Sequence, residues 1–167
     1  CFIALMRPLV DAGLLAADYA STTWGVSGYS GGGRQMVEAF EDGSTKTTFF
    51  TYGLKLAHKH LPEMQLYSGL KRAPLFTPAV GAFRQGMLVH VPVNLWALDK
   101  PLTGKQLHDC LAAHYAGQQY VEVRHYGGEP PADRVVVEVP PLPADVGPRQ
   151  AHRGLLQATV GGRGAIR

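Results

Sequence analysis

The chain has 167 residues, of which 46% are hydrophobic and 17% charged, and a formal net charge of +3 at pH 7. That balance excludes a disordered segment, which is richer in charge and poorer in apolar side chains. No stretch approaches the roughly 18 consecutive apolar residues that a membrane helix needs, and the length suits a domain with its own core.

The pI is near 9.0, yet Lys and Arg are scattered. There is no block of like charge and no basic stripe laced with aromatics, so neither a nucleic-acid nor a membrane partner is expected. Two cysteines, Cys1 and Cys110, do not make a disulfide framework, and a reducing, cytoplasmic compartment is expected. The sequence opens at Cys1 without Met or leader and is expected to be a piece of a longer protein.

In chain order, Phe2 to Leu15 reads as a helix with Gly13 as its stop signal. Pro8 inside it predicts a kink or a late start. Thr22 to Ser27 reads as a short strand. It leads into the glycine-rich loop Ser27-Gly28-Tyr29-Ser30-Gly31-Gly32-Gly33-Arg34, and Arg34 to Phe40 fits one or two helical turns. Thr47 to Tyr52 reads as extended. Pro62 suits a helix start, with Glu63 opposite the positive end of the dipole and the helix running to about Leu70.

Leu75 to Val80, with Pro74 and Pro78 nearby, reads as an edge strand or a loop. Met87 to Leu95 is the clearest strand. Thr103 to Tyr115 is a helix with Leu107, Leu111 and Ala112 on its apolar face. Tyr120 to Val123 and Val135 to Val139 read as further strands. Six of the twelve prolines fall between Glu129 and Pro148, and His152 to Arg167 shows no period, so the chain beyond Gly127 is otherwise expected to be poorly structured. The alternation of helices and strands predicts helices stacked on a mixed sheet.

Three features can carry chemistry. Cys1 stands just before an apolar helix, where the dipole favours a thiolate nucleophile; the plain alternative is a terminal cysteine with no role. The glycine-rich loop can offer backbone N–H groups to a phosphate, with Arg34 adding a charged fork. It is neither a Walker loop nor a dinucleotide fingerprint, and it can equally be a surface turn.

His58 and His60 share one face if their stretch is extended, and two imidazoles can then hold a metal. No third ligand is evident, because Glu63 behind Pro62 points elsewhere. One imidazole can instead act as a general base, or the two can be surface histidines near a helix start. His90 reads as a packed strand residue, His108 and His114 as solvated, and Trp24 and Trp96 as core.

Taken together, these stretches resemble a known family. They are Phe2-Ile3-Ala4-Leu5-Met6-Arg7-Pro8-Leu9-Val10, Val26-Ser27-Gly28-Tyr29-Ser30-Gly31-Gly32-Gly33, Tyr52-Gly53-Leu54, His58-Lys59-His60-Leu61-Pro62-Glu63-Met64 and Phe76-Thr77-Pro78-Ala79-Val80-Gly81. In that order they closely resemble the shorter class of N-acetyl-γ-glutamyl-phosphate reductase, over about the first three quarters of the chain. The resemblance implies reduction of an acyl phosphate to an aldehyde with NADPH, in arginine biosynthesis, through a cysteine thioester.

It implies an α+β fold for this chain: a mixed, largely antiparallel sheet covered by helices, like the second domain of glyceraldehyde-3-phosphate dehydrogenase. Residues 1–127 would be a catalytic and dimerisation domain, and 128–167 a divergent Pro/Gly-rich tail. It further implies Cys1 as nucleophile, His58 as acid–base with His60 as the alternative, and Glu63 orienting the imidazole. Ser27, Gly28 and Gly31 would approach the cofactor or the substrate phosphate, and Arg34 would help bind that phosphate. The implied partners are an N-terminal cofactor domain and further copies of the chain.

The sequence departs from the family at Cys1, which touches Phe2 directly, whereas the family nucleophile stands further upstream in a Gly-Cys-aromatic-x-Thr/Ser stretch. The alternatives are a non-catalytic oligomerisation module of a broken reductase and a metal-dependent hydrolase built on His58 and His60.

Overall fold

In the computed structural model, which describes residues 1–100, 102–118, 121–123, 134–138 and 154–161, the chain begins with α1 (Phe2–Asp11). Phe2, Leu5, Met6 and Leu9 recur at helical spacing and are all buried. The helix starts at Phe2 and continues through Pro8, so the late start that this proline suggested does not occur. Its ring leaves the carbonyl of Ala4 without the usual N–H partner, and the Tyr115 hydroxyl donates to that carbonyl at 2.7 Å. The helix ends earlier than predicted. The N–H groups of Leu14 and Leu15 turn back onto the carbonyl of Leu9 at 3.0 and 3.1 Å, with Gly13 left-handed at φ +67°.

The next elements are β1 (Thr22–Gly28), a 3₁₀ turn over Tyr29–Gly32, α2 (Arg34–Glu41) and β2 (Phe49–Thr51). They are followed by α3 (Leu61–Ser68) and β3 (Leu75–Gly81). Pro62 lies in the first turn of α3, and Gly69 closes it in the left-handed conformation at φ +78°.

β1 and β3 pair in parallel from Thr22↔Leu75 to Gly28↔Gly81. β3 is therefore an interior strand, paired on its other side with β2, and not the edge strand or loop that its prolines suggested. Pro78 is tolerated because it stands one position past the end of that second pairing. Its carbonyl accepts the Tyr52 N–H at 3.1 Å, so the missing N–H faces the point where β2 runs out.

The predicted strand Met87–Leu95 is broken at Val91 and Pro92. It becomes β4 (Met87–His90), β5 (Val93–Asn94) and a 3₁₀ turn over Leu95–Ala97. Then comes α4 (Gly104–His114), opened by a reciprocal capping box between Thr103 and Gln106. Three short strands follow: β6 (Glu122–Val123), β7 (Arg134–Glu138) and β8 (Gly154–Gly161). Tyr120 and Val139, expected in the first two, lie outside the described residues.

β8 corrects the expectation that the chain beyond His152 lacks regular structure. It pairs with β4 through Leu88↔Leu155 and with β7 through Val137↔Leu156.

The sheet order is β2-β3-β1-β4-β8-β7-β6, with β5 joined to β8. Four of the pairings are antiparallel and three are parallel among the described residues. The fold is α+β, with a mixed, largely antiparallel sheet and helices packed on it, as the resemblance implied. The core lies between α1, α3, α4 and one sheet face, around Leu5, Met6, Met64, Val89, Leu107 and Leu111.

Candidate functional site

α1 and α3 pack side by side. The Cβ position of Gly69 lies 3.4 Å from Val10. Beyond the helices, the Lys71 N–H donates to the carbonyl of Ala17 at 2.7 Å. Both chains then enter the parallel strands β1 and β3 at matching positions. The two helices therefore run in the same sense, and their amino ends, which carry Cys1 and His60, point the same way.

Cys1 is the residue before α1, with an exposed side chain that does not cap the helix. Its sulfur stands at the amino end of the helix, where the dipole is positive.

The stretch before α3 is a turn rather than a strand. The Leu61 N–H donates to the carbonyl of His58 at 3.0 Å, and His60 has φ −87° and ψ −2°. The predicted sharing of a face was to come from extended backbone. The turn brings the rings together instead, with centroids 5.1 Å apart. The backbone N–H of His60 donates to His58 Nδ1 at 3.2 Å.

His58 Nε2 lies 3.5 Å from the Tyr52 hydroxyl, and the ring meets Phe76 edge-on at 5.2 Å. Burial, and then the nearby charges of His60 and Lys59, hold the His58 imidazole below its ordinary pKa. Burial also raises the Tyr52 phenol, which keeps it protonated. Glu63 engages His60: its Oε2 is 3.1 Å from His60 Nδ1, and both side chains are exposed.

Tyr52 carried no role in the sequence reading. Its position inside the Tyr52-Gly53-Leu54 motif, six residues before His58, was the one available signal.

The glycine-rich loop is tied to the hairpin between β3 and β4. The amides of Gly28, Tyr29 and Ser30 donate to the carbonyls of Gly86, Phe83 and Arg84 at 2.9, 3.0 and 3.0 Å. A Cβ on Gly28 would meet that hairpin's backbone at 2.7 Å, which accounts for glycine there. Ser27 lies against Gly31, its Oγ 3.6 Å from the position a Gly31 Cβ would take. Arg34 pairs with Glu38 at 2.6 Å, and its side chain is 91% exposed. The hairpin thus engages three of the loop's amides, and Arg34 is turned to its own helix.

His108 departs from expectation. It is mostly buried beside Asp109, at 3.1 Å, whereas His114 is exposed as predicted. His90 packs by Trp24 with ring centroids 5.2 Å apart; the side chain of Trp96 lies outside the described residues. Among the described residues, no group of three or more His, Cys, Asp or Glu is placed to hold a metal ion. Among them, too, no helix is long and apolar enough to cross a membrane.

A family model described as the semialdehyde dehydrogenase dimerisation domain matches residues 1–139. The chain is 54% identical over 123 residues to N-acetyl-gamma-glutamyl-phosphate reductase of Burkholderia lata, covering 72% of this chain and 39% of that protein. The reductase of Chelativorans sp. is 53% identical over 116 residues, covering 69% and 37%. That of Trichormus variabilis is 42% identical over 132 residues, covering 75% and 41%. The chain thus spans well under half the length of these curated relatives. With that match running over most of its length, the chain belongs to the semialdehyde dehydrogenase dimerisation-domain family.

Proposed function

We propose that this chain is the catalytic and dimerisation part of a reductase that turns N-acetyl-γ-glutamyl phosphate into the corresponding semialdehyde in the cytoplasm. The observation that supports it most is the pairing of ends: an exposed thiol opens α1, and a histidine pair opens the neighbouring α3 in the same sense. The relatives named above are N-acetyl-gamma-glutamyl-phosphate reductases, which supports the reductase reading.

The Cys1 sulfur attacks the acyl carbon, the tetrahedral oxyanion collapses, and the C–O bond to phosphate breaks to leave a thioester. NADPH, held by another part of the protein, supplies the hydride when bound. The residues of this chain handle the protons. The resemblance implies His58 for the acid–base work, but the carboxylate of Glu63 on His60 Nδ1 favours His60, whose Nε2 is left to accept and return a proton.

Self-association follows from the same reading. Phe76 and Val89 pack into the core, so strand alternation turns Leu75, Leu88 and His90 to the opposite sheet face, with Trp24 beside His90. Phe49, Leu75 and Phe83, at 47%, 46% and 41% exposed, extend this apolar surface, and a second copy would cover it.

The test is NADPH oxidation by the full-length protein with the acyl phosphate as substrate. The wild type is expected to turn over and Cys1→Ala to be inactive. Activity surviving in Cys1→Ala overturns the nucleophile. A silent wild type overturns the reductase and favours a purely oligomerising module.

A further inference from the structure

The two histidines are wired differently. His58 Nδ1 accepts the His60 backbone N–H at 3.2 Å. A ring nitrogen that accepts a hydrogen bond has no proton of its own, so the neutral ring carries its hydrogen on Nε2, facing the Tyr52 oxygen at 3.5 Å. His60 shows the reverse. Its Nδ1 lies 3.1 Å from Glu63 Oε2, and an ionised carboxylate only accepts, so the hydrogen sits on Nδ1 and Nε2 keeps a bare lone pair.

The titratable groups around His58 are Tyr52 from the end of β2, Lys59 and His60 from its own turn, and Glu63 behind His60. β3 contributes the edge of Phe76.

We propose that His58 and His60 are held in opposite neutral tautomers, His58 as an Nε2–H donor and His60 as a bare-Nε2 acceptor, and that they divide the acid–base work of the site. The division of work rests on the reductase reading above. In the acylation half, His60 Nε2 takes the proton of the thiol as sulfur bonds to the acyl carbon, and the carbonyl π pair moves onto oxygen. His58 Nε2–H gives up its long contact with the Tyr52 oxygen and donates to that oxyanion. As the oxyanion collapses, the C–O bond breaks with its electron pair on the phosphate oxygen, which takes the proton back from His60. Hydrogen phosphate leaves, and His60 returns to its neutral form. Tyr52 is a positioning residue in this scheme, because it acts on His58 and not on the reacting atoms.

The experiment is ¹⁵N NMR of the full-length protein labelled at histidine, with the His58 and His60 signals assigned by substitution. Opposite tautomers are expected, Nε2–H at His58 and Nδ1–H at His60. Glu63→Ala is expected to return His60 to the Nε2–H form that free imidazole prefers and to leave His58 unchanged. Glu63→Gln, whose amide oxygen can still accept, is expected to keep the Nδ1–H form. The same tautomer on both rings, or a His60 signal unmoved by Glu63→Ala, overturns the proposal. An inactive protein with opposite tautomers sinks the reductase reading and the division of work with it but leaves the tautomer assignment intact, whereas an active one with matching tautomers sinks this inference alone.

Discussion

The Tyr115 hydroxyl donates to the carbonyl of Ala4 at 2.7 Å, from the end of α4 to the first turns of α1. Ala4 is the acceptor that Pro8 cannot serve. Tyr115→Phe is therefore expected to cost about 1–2 kcal/mol, because it strands a half-buried carbonyl. The cost should shrink when Pro8→Ala restores a backbone N–H to the same acceptor. A double-mutant cycle by urea unfolding measures it, and additive effects would show that the hydroxyl is not compensating for the proline.

Glycines of the same loop should respond differently to alanine. At Gly28 the added Cβ meets backbone atoms of Phe83, Arg84 and Gln85, each at 2.7 Å, and a backbone cannot swing aside. Gly28→Ala is expected to cost about 3 kcal/mol and to loosen the hairpin. Gly31→Ala finds only ordinary contact with Ser27 at 3.6 Å and should cost less than about 1 kcal/mol. Thermal unfolding of both variants checks the ranking.

His58 sets a small pH dependence of stability. Its pKa is held down by burial, with His60 and Lys59 adding to the effect. The folded ring thus binds its proton less tightly than the unfolded one, whose pKa is about 6.5. In the window below that value the unfolded state carries more protons, so stability rises with pH and its full contribution is present above about 6.5. His58→Gln should flatten the urea midpoint against pH in that window. Solvent screening of this exposed turn keeps the change modest.

The apolar sheet face gives a prediction about assembly. Phe49→Glu places a charge on this sheet face beside Gly81, whose Cβ position meets the Phe83 ring, without touching the core beneath the helices. Sedimentation equilibrium should show a wild-type oligomer and a dissociated variant with unchanged circular dichroism. An unaltered mass would move the interface elsewhere.

The helices were legible because their signals are local. Phe2, Leu5, Met6 and Leu9 mark one face of α1, Pro62 marks the start of α3, and Thr103 with Gln106 marks that of α4. The sheet was less so, because whether a strand is interior depends on partners far along the chain. Pro78 argued for an edge, and only the short reach of β2 makes its missing N–H harmless. Pro92 split one apparent strand into β4 and β5, and Leu155, Leu156 and Val160 were too brief a run between glycines and arginines to announce β8. In the site, the motif gave His58, His60 and Glu63 as a group. Which ring Glu63 holds, and that Tyr52 joins them, depends on a turn geometry that spacing does not encode.

Six of the seven residues from Ser27 to Gly33 are serine or glycine, a composition that would ordinarily mark the place where a protease nicks a domain. Here the amides of Gly28, Tyr29 and Ser30 are bound to a neighbouring hairpin, and Tyr29 stacks on Phe40 at 4.7 Å. Deuterium should enter those three amides slowly, and limited digestion should spare this segment despite its composition.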